Sequence, residues 1–302
     1  MENIKYKNIF VTTWLIDNPK AIVIISHGMT EHVRRYDDFA TFLNNHGYAV
    51  YGIHQIGHGD AIKDVKGHFE KDDFFRCGDN LQTLIDKAKD DYPNKKVYLF
   101  GHSMGSFISQ YYISTYGKNI DGVILCGSNA PGANYTISKV LANTLFLFAD
   151  NKKPGYFLNK MAFGSFNKHF KPNRTTADWL SRDNNEVDKY LNDDLCGFIC
   201  SVGFFKEFLK GLASLKGLQN KIPLSLPVYL IAGDNDPVSN MGVGISKLYN
   251  QYKKINIKDL SMKLYPGARH EILNEINKEE VKKDILNWLD SHVDFKEKNL
   301  YN

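Results

Sequence analysis

Residues 97–112 read V-Y-L-F-G-H-S-M-G-S-F-I-S-Q-Y-Y. An apolar run of strand-forming residues enters G-H-S-M-G and leaves into a stretch of helical character, so the pattern predicts a strand, a sharp turn and a helix. Gly101 and Gly105 remove Cβ atoms where strand and helix approach most closely, which allows Ser103 a strained backbone that exposes its Oγ. The helix N-terminus behind it favours developing negative charge. G-x-S-x-G alone occurs by chance, and its alternative is a plain glycine turn. The strand before it and the helix after it make Ser103 the candidate nucleophile.

Working outward, similar apolar runs recur at 21–26 (A-I-V-I-I-S), 48–53 (Y-A-V-Y-G-I) and 122–126 (G-V-I-L-C). Uninterrupted β-branched runs of this length predict buried parallel strands. Amphipathic stretches lie between them at 36–45, 80–91 and 104–116, the last expected to close at Gly117 in a left-handed cap. Alternating strands and helices predict an α/β fold with a covered, mostly parallel sheet.

From about 129 to 221 the strand pattern disappears, and short helical segments are broken at Pro154, Gly164, Pro172 and Gly197. Strand character returns at 226–233 (L-P-V-Y-L-I-A-G) and 262–265 (M-K-L-Y), followed by an amphipathic helix over roughly 279–291. The expected organisation is a core formed by 1–128 and 222–302, with a helical cap inserted at 129–221. Ten of the 19 phenylalanines fall between 129 and 222. With Trp179 they suit an apolar tunnel or a membrane-facing lid, and equally the packing of short helices against one another.

Composition narrows the function classes. The 302 residues are 43% hydrophobic and 24% charged, with a net charge of +4, which is the balance of a globular chain with a large core and argues against nucleic-acid binding. The start, M-E-N-I-K-Y-K-N-I-F, lacks the unbroken apolar core of a signal peptide, and no apolar run approaches the roughly 18 residues of a membrane span. Cys77, Cys126, Cys196 and Cys200 form no pair of C-x-x-C units. A cytoplasmic, reduced protein without metal or cofactor is expected.

A serine nucleophile requires a base, and the base an orienting acid. After the run ending at Ala232 comes G-D-N-D-P-V, and after Tyr265 comes P-G-A-R-H-E-I. Both loops follow strand C-terminal ends, on the side where Ser103 emerges, so Asp236 and His270 are the candidate acid and base. Asp234 competes, with turn formation as its other role. His102 is expected to pack behind the nucleophile, and His46, His68 and His169 lack a strand-end context. His54 and His58 are four apart, but Gly57 and Gly59 oppose a helix there, and no metal site is read. An oxyanion hole needs two backbone N–H donors: Met104, after the nucleophile, and Met29 in S-H-G-M-T-E-H, which follows the 21–26 strand.

Taken together, S-H-G-M-T-E-H-V-R-R-Y, the G-H-G after 48–53, G-H-S-M-G-S, G-D-N-D-P-V and P-G-A-R-H-E-I-L-N-E resemble the α/β-hydrolases of the monoacylglycerol lipase and lysophospholipase group, also classed with serine aminopeptidases. The resemblance implies an α/β-hydrolase fold and places that family's nucleophile, acid, base and oxyanion positions on Ser103, Asp236, His270, Met29 and Met104. It departs at H-Q-I-G-H-G, where the family usually has an Asp and this chain has His54. The expected activity is cleavage of a carboxylic ester of a single-chain lipid, with transient membrane contact through the cap. A peptidase that removes N-terminal residues is the alternative, with Glu31, Asp183 or Glu186 to bind the substrate ammonium. A non-catalytic binding protein on the same scaffold is a third reading.

Overall fold

A computed structural model describes residues 1–132, 140, 143–144 and 146–293. Its strands are β1 (Glu2–Tyr6), β2 (Ile9–Trp14), β3 (Ala21–Ser26), β4 (Tyr48–Ile53), β5 (Lys96–His102), β6 (Gly122–Cys126), β7 (Val228–Gly233) and β8 (Leu260–Tyr265). They form one eight-stranded sheet in the order β1-β2-β4-β3-β5-β6-β7-β8. All pairs from β4 to β8 are parallel, whereas β1–β2 and β2–β4 are antiparallel. The opening hairpin was not expected. Its first strand is the exposed sheet edge, and such a strand carries the mixed charged and apolar pattern that hides it from a search for buried runs.

The central strands alternate between two cores. Ile22 and Ile24 of β3 join one, and Ala21, Val23 and Ile25 join the other, as the two-residue period of a strand requires. Helices α1 (Asp37–Asn45), α2 (Asp73–Asp91) and α3 (Met104–Tyr116) follow β3, lie before β5 and follow β5, respectively. Helix α2 begins seven residues before the expected start, and α3 does not end in a left-handed glycine. Gly117 has φ −59° and ψ −15° and continues into a 3₁₀ turn, which carries the chain from α3 back towards β6.

Between β6 and β7 the described elements are helical: α4 (Tyr156–Phe163), α5 (Asn184–Leu191) and α6 (Val202–Ser214). A lone bridge joins Pro154 to Ser201. Helix α6 is not a detachable cover. Phe204, Phe205, Phe208 and Leu212 belong to the same core as α2 and α3, and Phe204 meets Phe69 with ring centroids 4.5 Å apart. A Cβ on Gly211 would lie 2.1 Å from the Phe74 ring, so α6 presses directly onto α2. Two further helices, α7 (Val243–Lys254) and α8 (Lys278–Val293), complete the layers. Among the described residues no helix is long and apolar enough to cross a membrane.

Register then places the functional loops. Ser26 pairs with Gly101, His102 with Cys126, Cys126 with Ile231, and Gly233 with Tyr265. The C-terminal ends of five parallel strands therefore form one line, and the loops beyond them face one another. Because α6 shares the main core, Phe204→Ala is expected to destabilise the whole protein by about 3–5 kcal/mol. Denaturant unfolding checks this, and a single unchanged transition would show that α6 is peripheral.

Candidate active site

Strand β5 ends at His102 and α3 begins at Met104, so Ser103 alone makes the joint, with φ 51° and ψ −119°. Such a backbone costs on the order of 1–3 kcal/mol in a residue with a side chain, and persists only where neighbours over-determine it. Here the Ser103 N–H donates to the Cys126 carbonyl at 2.9 Å, while the Ser103 carbonyl accepts from Ser106 N at 2.9 Å and Ser106 Oγ at 2.6 Å. Gly105 permits the joint, since a Cβ there would stand 2.0 Å from the Ser26 carbonyl oxygen.

Of the two competing acids, Asp236 is the one brought to His270. His270 Nδ1 lies 2.9 Å from Asp236 Oδ1, and both residues are buried. Asp236 Oδ1 also accepts from Val238 N at 2.8 Å, while Oδ2 is buried without a hydrogen-bond partner. Asp234 instead accepts from Gly267 N at 2.7 Å, which ties two turns together. Burial pushes the His270 pKa down. The charge and hydrogen bond of Asp236, then Glu271 and Glu31, outweigh it and hold the pKa above the usual 6.5. His102, with its ring 4.7 Å from that of His270, is held well below the usual value by burial and by His270. Of the remaining histidines, His46 Nδ1 meets the Phe42 carbonyl, His68 meets Ser201, and His169 lies in a 3₁₀ turn.

A charge network behind these loops was not anticipated. Arg35 donates through Nη1 to Glu31 at 2.8 Å and through both terminal nitrogens to Glu271 at 2.7 Å each. Glu31 Oε1 also accepts from Gly28 N at 2.6 Å and from the Tyr36 hydroxyl at 2.9 Å. A buried guanidinium thus joins the loop after β3 to the loop that carries His270. The spacing of Glu31 and Arg35, four residues apart, was visible in the sequence, but the third member, 236 positions away, was not.

The other acids proposed for an ammonium are also engaged. Glu186 pairs with Lys189 and Lys278, and Asp183 caps α5 by accepting from Asn185 N. His54 does not line either cavity at Ser103. It contacts Thr12 Oγ1 at 2.9 Å and accepts from Asp60 N at 3.1 Å, and burial pushes its pKa down to about 4. Among the described residues, His32, Asp193 and Cys196 bring potential metal ligands within 4.8 Å of one another. His32 is already bonded to Asp193 at 2.8 Å, and burial pushes the Cys196 thiol up, away from the thiolate that a metal ligand requires.

Two cavities meet at Ser103. One, of about 350 Å³, is walled mainly by Met104, Phe107, Leu158, Phe166, Phe208 and Leu212. The other, of about 630 Å³, carries polar groups from Thr30, Asn159, Asn167, Asn173, Thr175 and Thr176, and also touches His102 and His270. Met29, Ser103 and Phe163 line both.

The family model described as serine aminopeptidase, S33, matches residues 17–277. The chain belongs to that family. Its fold is that of the α/β-hydrolases. It is 29% identical over 300 residues to a monoglyceride lipase homolog of Monkeypox virus, which covers 97% of this chain and 98% of the relative. It is 29% identical over 280 residues to the monoglyceride lipase of Mus musculus, covering 91% and 82%. A carboxyl esterase from Bacillus coagulans, solved in complex with glycerol, superposes with a TM-score of 0.85 at 27% identity, covering 97% of this chain and 98% of the other.

Since Asp236 contributes the leading upward effect on His270, the imidazole is expected to titrate above 6.5 and to fall below that value in Asp236→Asn. Asp234→Asn should leave it unmoved. Imidazole titration followed by NMR checks the pair, and an equal response to both substitutions would contradict this geometry.

Proposed function

We propose that the protein is a serine hydrolase that cleaves carboxylic esters of single-chain lipids, monoacylglycerol or lysophospholipid. The observation that carries this reading is the position of Ser103 at the junction of an apolar cavity of about 350 Å³ and a larger polar one. An acyl chain fits the first and a hydroxylated or zwitterionic head group the second. The names of the relatives point to the same reaction class.

In this reading Ser103 Oγ attacks the ester carbonyl while His270 accepts the serine proton. Asp236, bonded to Nδ1, fixes the tautomer and stabilises the imidazolium. The amides of Met29 and Met104 take the developing oxyanion. Met104 opens α3, and its N–H is one of the first-turn donors that a helix leaves unpaired. His270 then protonates the departing alcohol, and water, activated by the same base, releases the acid. No cofactor enters these steps.

The peptidase alternative requires a carboxylate for the substrate ammonium, since an unpaired buried charge costs several kcal/mol. The acids lining the polar cavity are Glu31 and Glu271, and both are engaged by Arg35. That supports the esterase over the peptidase. A non-catalytic binder would have no use for a strained, buttressed serine.

Contact with a lipid surface belongs to the same proposal. Leu147, Phe148, Tyr156, Phe157 and Met161 are exposed apolar residues of the insertion, and Phe148 is 97% exposed. Removing them from water would supply binding energy at an interface. Phe148→Ser combined with Phe157→Ser should lower activity on vesicle-borne substrate several-fold while sparing a soluble short-chain ester, and equal losses on both would contradict surface contact.

For the chemistry itself, kcat/KM is expected to rise across p-nitrophenyl esters from acetate to at least octanoate, because each buried CH₂ contributes about 0.8 kcal/mol. Ser103→Ala should abolish both hydrolysis and fluorophosphonate labelling, and Asp236→Asn should lower kcat by roughly 10⁴. A flat chain-length profile with efficient release of nitroaniline from alanine anilides would replace the reading with the peptidase.

A further inference from the structure

His270 is in contact with more than its acid. The indole of Trp179 stacks on the imidazole, with ring centroids 5.2 Å apart and planes 30° from parallel. Trp179 comes from the insertion, between α4 and α5. Its backbone N–H donates to Asn167 Oδ1 at 3.0 Å. The adjoining residues run along the loop of the base: Glu271 N donates to the Leu180 carbonyl at 2.7 Å, Ser181 Oγ to the Asn274 carbonyl at 2.7 Å, and Arg182 Nε to Glu275 Oε2 at 2.8 Å. This stretch of the insertion is a fixed wall of the base.

Any apolar residue there would exclude water. An aromatic face does something more, because its π cloud attracts an imidazolium and is nearly indifferent to a neutral imidazole. We propose that Trp179 is a positioning residue for the reaction: its indole face holds the His270 ring in line with Asp236 and favours the protonated form that appears while Ser103 is being acylated. The inference rests on the Ser103, His270 and Asp236 reading given above.

The charged and titratable groups around His270 are known on each side. Asp236 faces it from the loop after β7, Glu271 from its own loop and Glu31 from the loop after β3, all favouring the cation. His102, at the end of β5, is held neutral by burial. Cys126, at the end of β6, is held protonated by burial and by Asp236. Trp179 acts in the same direction as the three carboxylates without adding a charge that would itself have to be paired. Its indole also touches Phe163 and Phe166, at centroid distances of 6.1 and 5.2 Å, and both of these line the apolar cavity. One aromatic stack therefore borders the substrate cavity and ends on the base.

The test uses the full chain with Trp179→Leu, which keeps an apolar wall but no π face, and Trp179→Phe, which keeps both. Trp179→Met is the second aliphatic replacement should the Leu variant fail to fold. The His270 imidazole is titrated by NMR without substrate, and kcat and KM for p-nitrophenyl acetate are measured against pH. In the Leu or Met variant the His270 pKa and the acid limb of kcat/KM are expected to fall together by about half to one pH unit, with kcat reduced roughly tenfold and KM within twofold. The Phe variant should recover most of both. Unchanged titration in the aliphatic variants, or equal behaviour of Leu and Phe, would overturn the proposal. If the parent's ester hydrolysis is absent or survives Ser103→Ala, the serine-hydrolase reading fails on its own account, while the substrate-free titration still decides whether the indole acts on His270.

Discussion

Helix α3 can begin at the very end of β5 only because Gly105 lies against the carbonyl of Ser26, where a methyl group would stand 2.0 Å away. Everything at the site depends on this approach. It lets one residue, Ser103, make the whole change from strand to helix, and it aims the N-terminus of α3 at the point where the strand ends converge. The strain at that residue is borne by hydrogen bonds to Cys126 and Ser106. These groups are in turn held by the β5–β6 register and by the first turn of α3.

The loops around Ser103 are braced from behind by electrostatics. Arg35 with Glu31 and Glu271 forms a buried carboxylate, guanidinium, carboxylate group whose members come from two separate loops. Buried ion pairs of this kind add little net stability, because desolvation offsets most of the attraction. What they impose is geometry. Glu31 is bonded to the Gly28 amide, next to the proposed oxyanion donor Met29, and Glu271 directly follows His270 in the chain. The same pairing removes the two carboxylates that could otherwise have received a substrate ammonium, so one arrangement fixes the loops and sets the character of the polar cavity.

The insertion between β6 and β7 does three separate things. Helix α6 completes the main core, residues 178–182 brace the loop that carries His270, and α4 supplies Leu158, Met161 and Phe163 to the apolar cavity. A single label such as lid describes only the last of these, and the apolar residues that face outward from it suit a lipid surface.

Much of this was legible in the sequence for local reasons. Buried parallel strands are short apolar runs, and six of the eight strands were read from them. The strand entering G-x-S-x-G and the helix leaving it made Ser103 readable as the candidate nucleophile. The sequential placement of Asp236 and His270 after strand ends followed from topology. In the opening hairpin, β1 escaped because an exposed edge strand has no buried face to mark it, and β2, though buried, because Thr12 and Thr13 interrupt its apolar run. The choice between Asp234 and Asp236 as neighbour of His270 was made by turn geometry, which puts one carboxylate on Gly267 N and the other on His270. The roles of Arg35, Glu271 and Trp179 could not be read at all. A sequence displays periodicity and local spacing, whereas a buried charge network or a ring stacked across 91 positions exists only once the sheet register has brought distant loops together. The fold class and the candidate nucleophile were therefore determined by the sequence itself. The surroundings of His270 and the shape of the two cavities at Ser103 were decided only by tertiary packing, because pKa, desolvation and cavity shape depend on which side chains become neighbours in space.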